Sequence, residues 1–197
     1  QTLAVAPNDT TLFAAMHVSP AGVYDEIMKM CGELMEKEMY DMMTMQLDAF
    51  QKQMQINLRK DLFVAMGPEI AFSMDFKNFN LQGSEDLSET MDFAMICALA
   101  NQQSFEASLN KILSMVSPEA PETKAYGKFS TKIIASPAGD FCYCITNNMF
   151  ISGTDSGVKK VLDAITNPAK SVSGDPEYLN SSRVINLTEN SIYFSFF

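Results

Sequence analysis

From Val23 to Leu58 apolar residues recur at steps of three and four, as Ile27, Cys31, Leu34 and then Met43, Leu47, Phe50, Met54, Leu58, which gathers them on one face of an α-helix. At 1.5 Å per residue an unbroken helix over this stretch is about 55 Å long. Gly32 is the expected bend or break, because glycine weakens a helix interior. Ser19 offers an N-cap and Pro20 suits the first helical position, where its missing N–H costs nothing. A chain carrying such a helix beside many short apolar runs has to lay it against a sheet.

Those runs are strand-like. Thr11 to Val18 is apolar and too short for a stable helix. After a short helical turn from Asp61 and a Gly67-Pro68 break, Glu69 to Phe76 reads as a strand. Lys77 to Thr90 is polar and reads as a loop. Met91 to Ala100 is a buried strand, and Asn101 caps a helix with Phe105, Leu109, Ile112 and Val116 on its inner face. Phe129 to Ala135, Phe141 to Thr146 and Met149 to Ser152 form a meander with turns at Pro137 to Asp140 and at Asn147-Asn148. Asp155 or Ser156 caps a helix through Ile165, and Asp175-Pro176 opens a shorter one. The predicted fold is α+β: an antiparallel or mixed sheet with the long Met-rich helix and two to three shorter helices packed on one face. Residues 1–197 read as a single domain.

The chain starts at Gln1 without an initiator Met and ends in the strand-like run Ser191 to Phe197. It is therefore read as an excised or processed segment of a longer protein. Asn8 to Met16 and Glu189 to Phe196 are each a polar turn feeding an apolar strand, so 191–197 is a candidate first strand of a following repeat.

Charge removes one class of partner. With 14 Lys+Arg against 24 Asp+Glu the net charge is -10, and no local basic patch is available to hold a phosphate backbone, so a nucleic-acid partner is not expected. No stretch reaches the roughly 18 apolar residues of a transmembrane helix, since the best run, Met91 to Ala100, is interrupted by Asp92.

Catalytic and metal chemistry find little footing. Among the 15 methionines, Met35, Met39, Met42 and Met43 lie at helical spacing, and their soft thioethers are the candidate face for Cu(I) or for an apolar ligand. A Met-rich helix also suits a lipid tail or an apolar partner helix. Plain core or docking hydrophobes remain the simpler reading. Cys31, Cys97, Cys142 and Cys144 lack zinc-site spacing; they read as buried hydrophobes, with a bridge from Cys97 to Cys142 or Cys144 as the alternative in an oxidising compartment. The order His17, Asp155, Ser156 echoes a serine protease, but in the wrong fold context. His17 reads as a hydrogen-bonded core residue. The acidic residues Asp25, Glu26, Glu33, Glu36, Glu38 and Asp41 read as a solvated helix face, and Glu69 and Asp75 as same-side strand residues that could line a cleft. The chain contains no G-x-G-x-x-G, P-loop or H-E-x-x-H. Accordingly, no catalytic residue, cofactor or metal ligand is assigned.

Four segments carry a family likeness. They are Asp61-Leu62 with Gly67-Pro-Glu-Ile-Ala-Phe72, the strand and helix of Met91 to Leu113, Tyr126-Gly127 with its meander, and Phe150-Ile-Ser-Gly153 running into Val158 to Asp163 and Asp175-Pro-Glu-Tyr178. In these the chain resembles the bacterial envelope family catalogued as domain of unknown function three-three-five-two. Pro68, where a second glycine is common, and the Met-rich long helix depart from that pattern. The resemblance implies an extracytoplasmic protein, periplasmic, secreted or anchored through a segment outside this sequence, with no catalytic residues to carry over. The expected function is a non-enzymatic binding or scaffolding domain whose partner is a protein or apolar ligand of the cell envelope. The alternatives are a carrier of a lipid or other apolar ligand, and a copper-handling module.

Overall fold

The computed structural model describes residues 2–76, 91–116, 120–135, 140–174 and 193–196. These form eight strands: β1 (Leu12–His17), β2 (Met66–Phe76), β3 (Met91–Leu99), β4 (Glu122–Tyr126), β5 (Phe129–Ile134), β6 (Phe141–Thr146), β7 (Met149–Gly153) and β8 (Tyr193–Phe196). They also form four α-helices: α1 (Pro20–Leu34), α2 (Lys37–Met54), α3 (Gln102–Val116) and α4 (Asp155–Thr166). The strands make one sheet in the order β4-β5-β6-β7-β3-β2-β1-β8, with every pairing antiparallel. The fold is α+β.

Because side chains alternate across a sheet, the central strands supply two cores. Ala94 and Ile96 of β3, Cys142 and Cys144 of β6 and Ile151 of β7 point to one face, where Val158, Val161 and Leu162 of α4 close over them. Cys97, Leu99, Tyr143 and Phe150 point to the other, where Phe105 and Leu109 of α3 cover them. The Phe105 and Phe150 ring centroids are 5.0 Å apart. Helices therefore lie on both faces, rather than on one as the sequence predicts. Strands rich in apolar residues at both parities, as in β3 and β6, are what a sheet covered on both sides requires.

The α4 face depends on two glycines. An added Cβ at Gly153 or Gly157 would run into the Phe93 carbonyl oxygen, so their bare backbone lets α4 start against β3. The Thr154 amide donates to that carbonyl at 3.0 Å, and the Thr154 hydroxyl accepts from the Gly157 amide at 3.2 Å. Thr154 is thus the N-cap, ahead of both predicted caps, Asp155 and Ser156. Ser19 caps α1 and Pro20 opens it as expected, while Asn101 accepts from the Ser104 amide at 3.0 Å.

The 55 Å helix is not formed. The chain leaves the helical conformation at Met35 and Glu36, both extended, giving α1 and α2 in its place. Gly32 stays helical, and a Cβ there would stand at ordinary contact distance, 3.5 Å, from the Tyr40 ring of α2, so the break falls three residues beyond the glycine. Gly67-Pro68 does not interrupt β2 but sits in a register shift between Met66 and Ile70, a bulge that tolerates proline. The Asn147-Asn148 turn has both residues at positive φ, 51° and 57°, the geometry of a tight hairpin. Within the run read as a candidate first strand of a following repeat, Tyr193–Phe196 pairs with β1 as β8. The predicted loop at 77–90, most of the turn at 137–140 and the helix opening at Asp175 lie outside the described residues.

Candidate docking surface

Local forces first anchor the base of the α1–α2 hairpin. A π-helical turn, Leu58–Phe63, follows α2, and Arg59 of this turn forms a two-pronged ion pair with Asp25 of α1, both contacts at 2.6 Å. The guanidinium beside Asp25 holds its carboxyl below the ordinary range. Tyr24 and Phe63 pack with ring centroids 5.2 Å apart. Ser104 and Ser108 of α3 donate to the Asp61 carbonyl, and Lys111 donates to the Gln55 carbonyl at 2.8 Å. Met54 and Ile56 are buried there. The root of the hairpin is fixed to α3.

Away from that root, burial ends. The only buried residue of α1 is Ala21, and of α2 Met54. Val23, Ile27, Met30 and Leu34 share one face of α1 at steps of four, three and four and are 41%, 52%, 54% and 79% exposed. Met39, Met42, Met45 and Phe50 of α2 are exposed as well. Cys31, placed by the sequence on the stripe with Ile27 and Leu34, is instead half-buried on the better-covered side with Tyr24 and Met28. Fully burying such a side chain stabilises by roughly 1.5–3 kcal/mol, so the hairpin leaves several kcal/mol of apolar burial unrealised. A contiguous apolar surface of this kind marks an interaction site more often than isolated exposed side chains do.

The predicted soft-ligand set is divided. Met35 lies in the break between the helices, Met43 is half-buried, and Met39 and Met42 are each 52% exposed. The four no longer share one continuous helix. A cavity of about 200 Å³ lies elsewhere, between α3 and strands β5 and β6, lined by residues including Glu106, Asn110, Ser130, Lys132 and Tyr143; no hairpin methionine borders it. Burial raises the Tyr143 phenol above its usual value.

The other polar candidates have structural occupations. Lys160 of α4 pairs with Asp75 at 2.6 Å and lies 3.8 and 3.9 Å from Asp9 and Asp92. Burial works against its charge, yet the Asp75 hydrogen bond and the surrounding carboxylates hold its pKa above the ordinary lysine value. Thr11 donates to Asp75 at 2.8 Å, and Ser156 donates to Asp92. Asp75 thus belongs to a network that ties α4 to β2 and β3, while Glu69 accepts from the Thr2 amide at 3.0 Å. His17 is exposed at the far end of β1, six residues along the strand from Thr11 and so about 20 Å from the level of Asp75. The core role predicted for it is corrected, and the His17, Asp155, Ser156 order brings no triad together. The place of Asp92 in this network is a feature that the sequence reading missed, although a lone acid inside an apolar strand was the available signal; the turn at the hairpin root was expected from Asp61 and begins at Leu58 with π-helical geometry.

All four cysteines are free. Cys97 faces α3 whereas Cys142 and Cys144 face α4, and β7 lies between their strands, so no bridge from Cys97 can form. Desolvation pushes each of these three thiols up to about 11, which keeps them protonated and inert at neutral pH. Among the described residues no cluster of three or more His, Cys, Asp or Glu is placed to hold a metal ion, and no helix is long and apolar enough to cross a membrane.

No protein-family model, curated protein or solved structure matches the chain.

Proposed function

We propose that this protein is a non-enzymatic binding or scaffolding domain of the bacterial cell envelope, acting outside the cytoplasm, with the α1–α2 hairpin as its docking element. The observation that carries the reading is the exposed stripe Val23, Ile27, Met30, Leu34 on a helix whose root is firmly fixed. A rigid base and an uncovered apolar face are what a docking helix needs: the face is presented without an ordering cost at the moment of binding. The envelope location rests on the family resemblance in the sheet and α4 segments.

The test is site-specific photo-crosslinking in the producing cells, with the photoreactive residue placed at Met30 or, for comparison, at exposed Lys128 in the β4–β5 turn. The expected result is an adduct of discrete mass from position 30 in the envelope fraction, absent from position 128 and lost when Ile27→Glu is added. Equal labelling from both positions, or none from position 30, would overturn the reading.

A further inference from the structure

We infer that the α1 stripe docks a basic amphipathic helix of another protein in coiled-coil fashion, with that helix's Lys or Arg side chains set against Glu26 and Glu33. This rests on the reading of the hairpin as the docking element and adds the chemistry of the partner.

The spacing comes first. Val23, Ile27, Met30 and Leu34 are separated by four, three and four residues, an average near 3.5, which is the repeat that keeps a seam facing a second helix. The seam runs about 17 Å along α1, enough for three turns of a partner. Helices that pack by this repeat insert seam side chains between those opposite, and residues flanking the seam choose the partner by charge.

On α1 the two flanks differ. One is Tyr24 and Cys31, half-buried against the rest of the protein. The other is Glu26 and Glu33, seven residues apart on the same edge and both exposed. Neither forms a hydrogen bond or ion pair among the described residues. Their surroundings reinforce the sign: residues 20–54 contain Asp25, Glu26, Glu33, Glu36, Glu38, Asp41 and Asp48 against Lys29, Lys37 and Lys52.

That charge decides between occupants. A second copy laid antiparallel on the seam would set Glu26 and Glu33 against the same acids, and laid parallel would set them against the covered Tyr24 and Cys31 flank. Each copy also carries a net charge of -10. An anionic lipid surface meets the same repulsion. A helix with apolar seam residues and basic flanks satisfies both the seam and its acidic edge.

Fluorescence anisotropy with two labelled 21-residue peptides tests this. Both carry three heptads with Leu at the seam; one has Lys and the other Glu at every flanking position, so neither pairs with itself. The Lys-flanked peptide should bind the whole protein at least tenfold tighter than the Glu-flanked one at 50 mM salt, and its advantage should shrink at 500 mM. The double variant Glu26→Lys, Glu33→Lys should reverse the preference by at least tenfold, a gain of binding that an unfolded variant cannot imitate. Ile27→Asp should abolish binding of both. Equal binding of the two peptides, no binding of either, no reversal, or dimerisation through the stripe in sedimentation would overturn the inference. If crosslinks still form at position 30 in any of these cases, the docking reading stands without it; if they do not, both fail.

Discussion

α4 and α1 are both amphipathic helices opened by a hydroxyl N-cap, and they end in opposite circumstances. Val158, Val161 and Leu162 of α4 are fully buried, whereas Val23, Ile27, Met30 and Leu34 of α1 are about half exposed or more. Apolar residues at helical spacing therefore give a core in one case and an open seam in the other. The difference lies in what the sheet offers. β3, β6 and β7 present small and medium side chains, and glycines 153 and 157 admit α4 to backbone contact. α1 is held through its other side, by Tyr24 and Asp25 against the π-helical turn and by Gly32 beside Tyr40 of α2, so its stripe is left uncovered.

The glycines give the sharpest way to break this contrast. Gly157→Ala would force a Cβ onto the Phe93 carbonyl and should cost about 3 kcal/mol or more. Gly32→Ala places its Cβ at ordinary distance from Tyr40 and gains helix propensity, so it should stabilise by about 0.5–1 kcal/mol. Urea unfolding of the two variants measures both, and a loss at Gly32 would show that the hairpin contact is tighter than its geometry indicates.

Core truncation sharpens the same comparison. Leu162→Ala should lose about 2–4 kcal/mol, while Ile27→Ala should change stability by less than about 0.5 kcal/mol. Equal losses in chemical denaturation would mean that the α1 stripe is covered in solution.

The smallest effect concerns how α4 is held at its far end. Asp163 accepts from Lys170 at 2.9 Å and from the Tyr126 hydroxyl at 2.8 Å, and first Lys170, then Tyr126, hold its carboxyl below the ordinary 3.8. Because the folded pKa is depressed, the ionised group's contribution is present in full above pH 3.8 and fades as pH falls through the folded value. The side chain is partly exposed, so Asp163→Asn should cost under about 1 kcal/mol at pH 6. The gap between variant and native protein, followed by thermal melts from pH 6 to pH 2, should close with acid; a constant gap would mean that the charge contributes nothing.

Much of the fold was legible. β1, β3, β6 and β7 announce themselves by dense apolar runs, and Ser19-Pro20 and Asn101 mark their helices through capping chemistry confined to a few residues. β4 was missed because Glu122 to Tyr126 is an exposed edge strand without an apolar pattern to betray it. The π-turn was anticipated only as a short helical turn from Asp61. The Met-rich stretch was recognised as the unusual element, but its operative face was placed through Cys31 instead of Met30, because two overlapping apolar stripes on one helix have the same period.

Periodicity, caps and turn residues act over a few positions along the chain, and they settled the main helical segments, the strands with dense apolar runs, and that the fold is α+β. The break at Met35-Glu36, the allocation of α3 and α4 to opposite faces, the separation of Cys97 from Cys142 and the exposure of the α1 seam depend on contacts between residues far apart in sequence. Burial is a property of what lies opposite a side chain, and that exists only once the sheet has closed between its helices.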